Sequence, residues 1–340
     1  MELSPRIDEH NDAGDLSRRW VAVGLGILWL FDGILQLQPL MFTKYFANNA
    51  SDVIASSFQS LPRPLYLFSM NALIRYVSPH MVIWNILIVL LQILLGVTLI
   101  AGRNKIIKIG LITSILWGGF VWIFGEGMGR ILAGSMSGGI FPGTPSILSG
   151  FPGAALLYSL VGLYLLLPIR FWNVGNRFSI MRMTPPVLFI LLAVIQTSPL
   201  LWTTYGQSSI FLANTGNLPG MLSSTLAPLV NFTISHPLLS NLFEMSITLF
   251  VGVSLLFQKF KWNIVIAFAW LAFIWWFGVG LGGLLTGMGT DLNTPPVIAL
   301  LLIPLIVSRR VSKSEINADR RRIPIPQKEN STNGCICPTE

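Results

Sequence analysis

Three carboxylates, Asp32, Glu126 and Glu244, interrupt stretches of sequence that are otherwise apolar. An ionisable group inside hydrocarbon costs a few kcal/mol on insertion scales, so such residues face a bundle interior, a partner or a water-filled cavity. The chemistry open to them is proton relay, cation binding or recognition of a cationic headgroup. Arg130 follows Glu126 by four positions, and on one helix face the two would neutralise each other without any ligand. Asp32 has no such neighbour along its own helix and needs a partner from another element. Gln36, Asn85 and Asn241 add neutral donors and acceptors within the same apolar windows. Together these seven side chains form the candidate intramembrane polar site. Its three acids and one arginine carry a formal charge of −2, which suits a cation, a proton path or a cationic headgroup.

The remaining chemistry-bearing residues point to bland roles. His80 and His236 each adjoin a proline, in S78PH and S235HP. Helix starts explain them better than metal or haem ligation, for which they are the only candidates. A quinone ring could stack on the mid-span tryptophans Trp117, Trp122, Trp270, Trp275 and Trp276, but no motif specifies quinone, haem or any other cofactor. Both cysteines, Cys335 and Cys337, lie in the last six residues and support no disulfide framework. The chain has no GxGxxG, Walker-type loop, zinc constellation or GxSxG elbow, so no catalytic motif argues for an enzyme.

These residues are set in a chain that is 53% hydrophobic and 11% charged, with mean hydropathy +0.67. Average soluble domains are roughly a quarter charged, so the expected solvent is a lipid bilayer. Lipid offers the backbone no hydrogen-bond partner and therefore imposes helices. Apolar windows predict eight spans near 20–40, 81–101, 107–127, 152–169, 185–203, 237–257, 262–285 and 295–308. The last is short, at 14 residues. Charge supports it: with the amino terminus inside, only Lys44, Arg63, Arg75 and Arg130 of the 22 Lys and Arg fall outside. The expectation is a multi-pass cell-membrane protein with both termini cytoplasmic. The net charge of +8 is read as topology rather than nucleic-acid binding, because the basic residues cluster beside apolar spans.

The spans fall into two halves. W117GGFVWIFGEGMGRILAG aligns without a gap on W270LAFIWWFGVGLGGLLTG at an offset of 153. His80, Asn85 and Gly96 fall on His236, Asn241 and Gly252 at 156, and Gln36 and Pro39 on Gln196 and Pro199 at 160. The predicted fold is all-α, two tandem four-helix repeats related by a pseudo-twofold axis along the membrane normal. Its parts are an amino-terminal tail (1–19), a first repeat (20–170), a second repeat (171–308) and a basic, disordered tail (309–340). The charges do not repeat: Asp32 answers to Leu192, Glu126 to Val279, Arg130 to Gly283 and Glu244 to Ile88. GxxxG spacing at Gly125/Gly129 and Gly278/Gly282 predicts close helix packing, with local unwinding as the functional alternative.

One half, with its opening R18RWVAVGLGILWLFDGILQL, its Q92ILLGVTLIAGR and its closing L156LYSLVGLYLLLP, resembles the DoxX-like and DoxD-like four-helix membrane proteins. The chain looks like a double-length relative. The resemblance implies an accessory subunit of respiratory or envelope redox chemistry, with a membrane redox partner, and carries over no catalytic residue. The readings from a different class are a small-solute or cation transporter with an acidic outward-facing crevice and a non-catalytic scaffold.

Overall fold

In a computed structural model the described residues are 6–58, 61–131, 145–172, 179–215, 220–257 and 262–307. The carboxy-terminal tail with Cys335 and Cys337 lies outside them, as does most of the loop that follows Arg130.

Among the described residues the chain is helical throughout, without strands. Six α-helices occupy the first half: α1 (Arg6–Leu35), α2 (Lys44–Phe58), α3 (Arg63–Ala72), α4 (Met81–Ala101), α5 (Asn104–Phe124) and α6 (Ala154–Leu166). Six occupy the second: α7 (Ile180–Ile195), α8 (Thr204–Thr215), α9 (Gly220–Ser235), α10 (Pro237–Leu256), α11 (Asn263–Phe273) and α12 (Thr294–Leu301). Three helical stretches are long and apolar enough to cross a membrane, Arg63–Ala101, Lys105–Phe124 and Pro237–Leu256. Shorter apolar helices run over Ala154–Leu166, Ile180–Ile195, Asn263–Gly278 and Thr294–Val307. The segments after 40 and after 203, which lie between the expected spans, are helical too. Their serines and threonines bond back to carbonyls three or four residues earlier, as Ser51 does to Ala47 and Thr225 to Leu222, so they interrupt the apolar pattern and not the helix.

Polarity is distributed inside out. On α4 the exposed face carries Ile83, Leu87, Leu90 and Leu94, while Asn85 and Gln92 are buried. On α10 Leu238, Leu242 and Phe243 are exposed, while Asn241, Glu244 and Thr248 are buried. A helix that turns its amides and carboxylate inward and its large aliphatic side chains outward is built for an apolar surround.

α1 shows how sequence spacing places a site residue. Val21, Leu25, Leu28, Trp29, Asp32 and Gln36 recur at helical intervals and are all buried, so Asp32 is carried inward by the core face. α1 crosses α4 where Gly26 and Gly96 meet, and a Cβ on either would come within 3 Å of the other's carbonyl oxygen. At the far end, Arg18 donates from Nη2 to the Leu165 carbonyl at 2.7 Å, satisfying the last turn of α6.

The halves share one core. Trp29, Tyr158, Phe189, Ile274 and Val297 belong to a single apolar cluster that draws on both. α6 and α12 pack on each other and on α1. The segment before each of these two helices folds back into the centre, where Ile147 and Leu148 are completely buried. The Thr294 hydroxyl donates to the Gly150 carbonyl, locking the two returning segments together.

Candidate functional site

The site is assembled by two helix breaks of the same form. After α5, Gly127, Met128 and Gly129 take φ of 55°, 56° and 66°; after α11, Gly280, Leu281 and Gly282 take 55°, 56° and 67°. Three successive left-handed residues, extended to a fourth by Gly283 at 69° in the second break, end a right-handed helix, and glycines make the turn tolerable. The close approach at these glycines is to the returning segment. A Cβ on Gly129 would lie 2.8 Å from the Pro152 carbonyl oxygen, and one on Gly282 would lie 2.8 Å from that of Asp291. Tryptophans fix the same contacts: Trp122 donates its indole N–H to the Pro152 carbonyl and Trp275 to that of Leu292, each at 2.8 Å. The expected GxxxG helix contact is thus replaced by local unwinding.

Unwinding also removes the common helix face on which Glu126 and Arg130 were expected to pair. The two do not share a helix, because α5 ends at Phe124 and the left-handed turn lies between them. The side chain of Arg130 lies outside the described residues. Glu126 turns to the start of α6, where its Oε1 accepts the Ala155 amide at 3.1 Å. Gly153, at the cap position, has no side chain to offer, so a carboxylate from another helix meets the positive end of α6.

Asp32 reaches the same place from α1. It is 1% exposed and is approached by the Tyr158 hydroxyl and by the Leu292 backbone, neither at full hydrogen-bond geometry. The Trp29 ring sits 4.6 Å from that of Tyr158, centroid to centroid, and its N–H is held by Ser114 at 2.9 Å. A third carboxylate, Asp291, arrives on the returning segment before α12. Its Oδ1 accepts the Asn293 amide at 2.6 Å and its Oδ2 the Thr290 hydroxyl at 3.2 Å. Asp291 acts electrostatically on both Asp32 and Glu126. Its own carboxyl is raised above the ordinary range by desolvation, with the Asn293 amide and the Thr290 hydroxyl working the other way. No lysine or arginine among the described side chains acts on any of the three. Among the described residues no group of three or more His, Cys, Asp or Glu is placed to hold a metal ion.

Asp291 was invisible to a search for charges inside apolar windows because it lies between two of them. A local signal did exist: T290DLNTPP reads as a capped helix start, and Asn293 does accept the Thr294 amide through its side chain.

The other candidates fall elsewhere. Asn85 donates to the Gln36 carbonyl at 3.0 Å and Gln36 donates to Gln92 at 3.1 Å. In the second half Asn241 donates to the Gln196 carbonyl at 3.0 Å and Gln196 to Glu244 at 2.8 Å. Glu244 is 4% exposed, and no other carboxylate among the described residues acts on it. It belongs to a second cluster and not to one crevice with Asp32 and Glu126. His80 and His236 stand at the starts of α4 and α10, and His236 stacks on Phe232. A groove of about 330 Å³ runs between α4 and α5, lined by Leu91, Thr113, Leu116, Trp117 and Phe120.

What the fold and site define is a class, an all-helical protein with apolar outer faces and a desolvated carboxylate cluster at its helix breaks. No protein-family model, curated protein or solved structure matches the chain.

Proposed function

We propose that this is a multi-pass membrane transporter that moves a small solute or cation with the help of protons held at Asp32, Glu126 and Asp291. The observation that carries the reading is the convergence of the fully buried Asp32 with the half-buried Glu126 and Asp291 at the helix breaks, where no described basic side chain acts on them. Three bare anions there would repel one another and lose their hydration, so the site must take up protons or a cation to exist. Broken helices at the bilayer's middle, with helix starts turned toward a polar site, are the usual architecture for such handling. In this reading the two six-helix halves are tandem repeats about a pseudo-twofold axis, eight segments are embedded in the bilayer, and both termini are cytoplasmic. The matching breaks and the matching Asn–Gln bonds support the repeat.

The test is proton movement into proteoliposomes that enclose a pH-sensitive dye, driven by an imposed membrane potential. Asp32→Asn and Asp291→Asn each lower the flux at least tenfold. Flux equal to that of empty vesicles in the unaltered protein, or unchanged in both variants, overturns the reading.

A second reading, a DoxX-like accessory subunit of quinone-linked chemistry, has one observation in its favour. Trp117 stacks on Phe120 in the α4–α5 groove at 5.5 Å, and its buried indole N–H has no acceptor among the described residues. A quinone would supply both a ring and a carbonyl oxygen. Quenching of tryptophan fluorescence by a short-chain ubiquinone, lost in Trp117→Leu, is the expected result; identical quenching in the variant removes this reading.

A further inference from the structure

The second polar cluster has an excess of oxygens. Gln196, at the end of α7, is completely buried, and its Nε2 donates to Glu244 Oε2 at 2.8 Å. Its own Oε1, on the same carbon as that nitrogen, has no donor among the described residues. Asn241 is also completely buried; its Nδ2 is spent on the Gln196 carbonyl at 3.0 Å, and its Oδ1 has no donor either. Asn241 and Glu244 are three apart on α10 and share one face. A carboxylate and two amide oxygens are thus carried on one buried, hydrogen-bonded run of side chains at the negative end of α7. The influences on Glu244 are burial and the Gln196 amide alone, with no basic side chain among them.

The first half supplies a contrast. There Gln36 donates to Gln92, Ile88 stands where Glu244 does, and none of Gln36, Asn85 and Gln92 is among the buried side chains with an unpartnered atom. Introducing Glu244 leaves an arrangement of acceptors that protein donors do not satisfy. A proton on Glu244 would satisfy one of them. A metal cation satisfies all of them at once and cancels the single negative charge, and hard cations take such oxygen ligands.

We propose that Glu244, Gln196 and Asn241 bind one dehydrated monovalent cation, with sodium as its natural probe, at a site separate from the Asp32 cluster. The inference does not rest on the proton-transport reading, and the experiment separates the two. The full chain in detergent micelles is titrated with radioactive sodium against a choline background at neutral pH. Saturable binding of one ion per chain is expected, together with a sodium-dependent rise in the thermal midpoint read by tryptophan fluorescence. Glu244→Gln lowers the sodium affinity at least tenfold, whereas Asp32→Asn keeps it while losing proton flux. Absence of saturable binding in the unaltered protein overturns the inference, as does stabilisation by acid with indifference to sodium, which would make a proton the occupant. Loss of sodium binding in Asp32→Asn would place the ion at the other cluster and overturn it equally. If Glu244→Gln fails to fold, the sodium and acid titrations of the unaltered chain still decide.

Discussion

Glu126 illustrates how one side chain can be structural and chemical at once. Its Oε1 accepts the Ala155 amide at the start of α6, while its Oε2 is buried without a partner among the described residues. Glu126→Gln keeps an acceptor oxygen for that amide and should change stability by less than about 1 kcal/mol. Glu126→Ala removes the acceptor and should cost about 1–3 kcal/mol. Chemical denaturation in mild detergent, followed by tryptophan fluorescence, separates the two; equal losses would mean that the charge matters and not the bond. Asp291 gives a pH signature. Because desolvation raises its carboxyl in the folded state, the folded chain holds that proton to higher pH than the unfolded chain does. Its contribution to stability is therefore greatest below the ordinary carboxylate range and is lost as pH rises through that range toward the raised value. Asp291→Asn should flatten this fall, since an amide oxygen can still accept from Asn293; thermal midpoints across an acid-to-neutral series report it.

At the scale of elements, the helix breaks carry the architecture. Gly129 and Gly282 hold φ of 66° and 67° against backbone carbonyls of the returning segments, so a side chain at either is strained and obstructed. Gly129→Ala and Gly282→Ala should each cost about 1–3 kcal/mol, and together they should loosen the segments that cover the acids. An alanine at Gly119, which has nothing within 4 Å of a new Cβ, is the matched control and should leave stability unchanged or slightly higher. Asn293 caps α12 through its side chain. Asn293→Ala should cost about 1 kcal/mol. Hydrogen exchange localises the effect: faster exchange confined to the first turn of α12 is expected, and uniform acceleration would count against a capping role.

For the whole molecule, the decisive property is which side of a bilayer each end occupies. In the proposed topology the carboxy terminus is cytoplasmic, so Cys335 and Cys337, the chain's only thiols, should react with a membrane-impermeant maleimide only after cells are permeabilised. Labelling in intact cells would refute a cytoplasmic carboxy terminus. Much of the molecule was legible from one dimension. Apolar windows located α4, α5 and α10, because hydropathy is a local property and lipid demands helix wherever it is high. The spacing of Val21, Leu25, Leu28 and Asp32 put the carboxylate on the core face, since helical period alone decides which side chains share a side. The repeated Gly-rich segments announced themselves as special, though whether they pack or unwind depends on φ values that only the returning segments enforce.

The partnerships of the charges belong to the tertiary structure. Sequence placed Asp32, Glu126 and Glu244 in apolar surroundings, and it could do so because burial follows composition along the chain. It grouped Glu244 with the wrong neighbours and left out Asp291. Which carboxylates meet is fixed by how segments 145–153 and 284–293 fold back onto each other and onto the helix breaks. Such contacts join residues well over a hundred positions apart, and no local pattern encodes a distance of that kind.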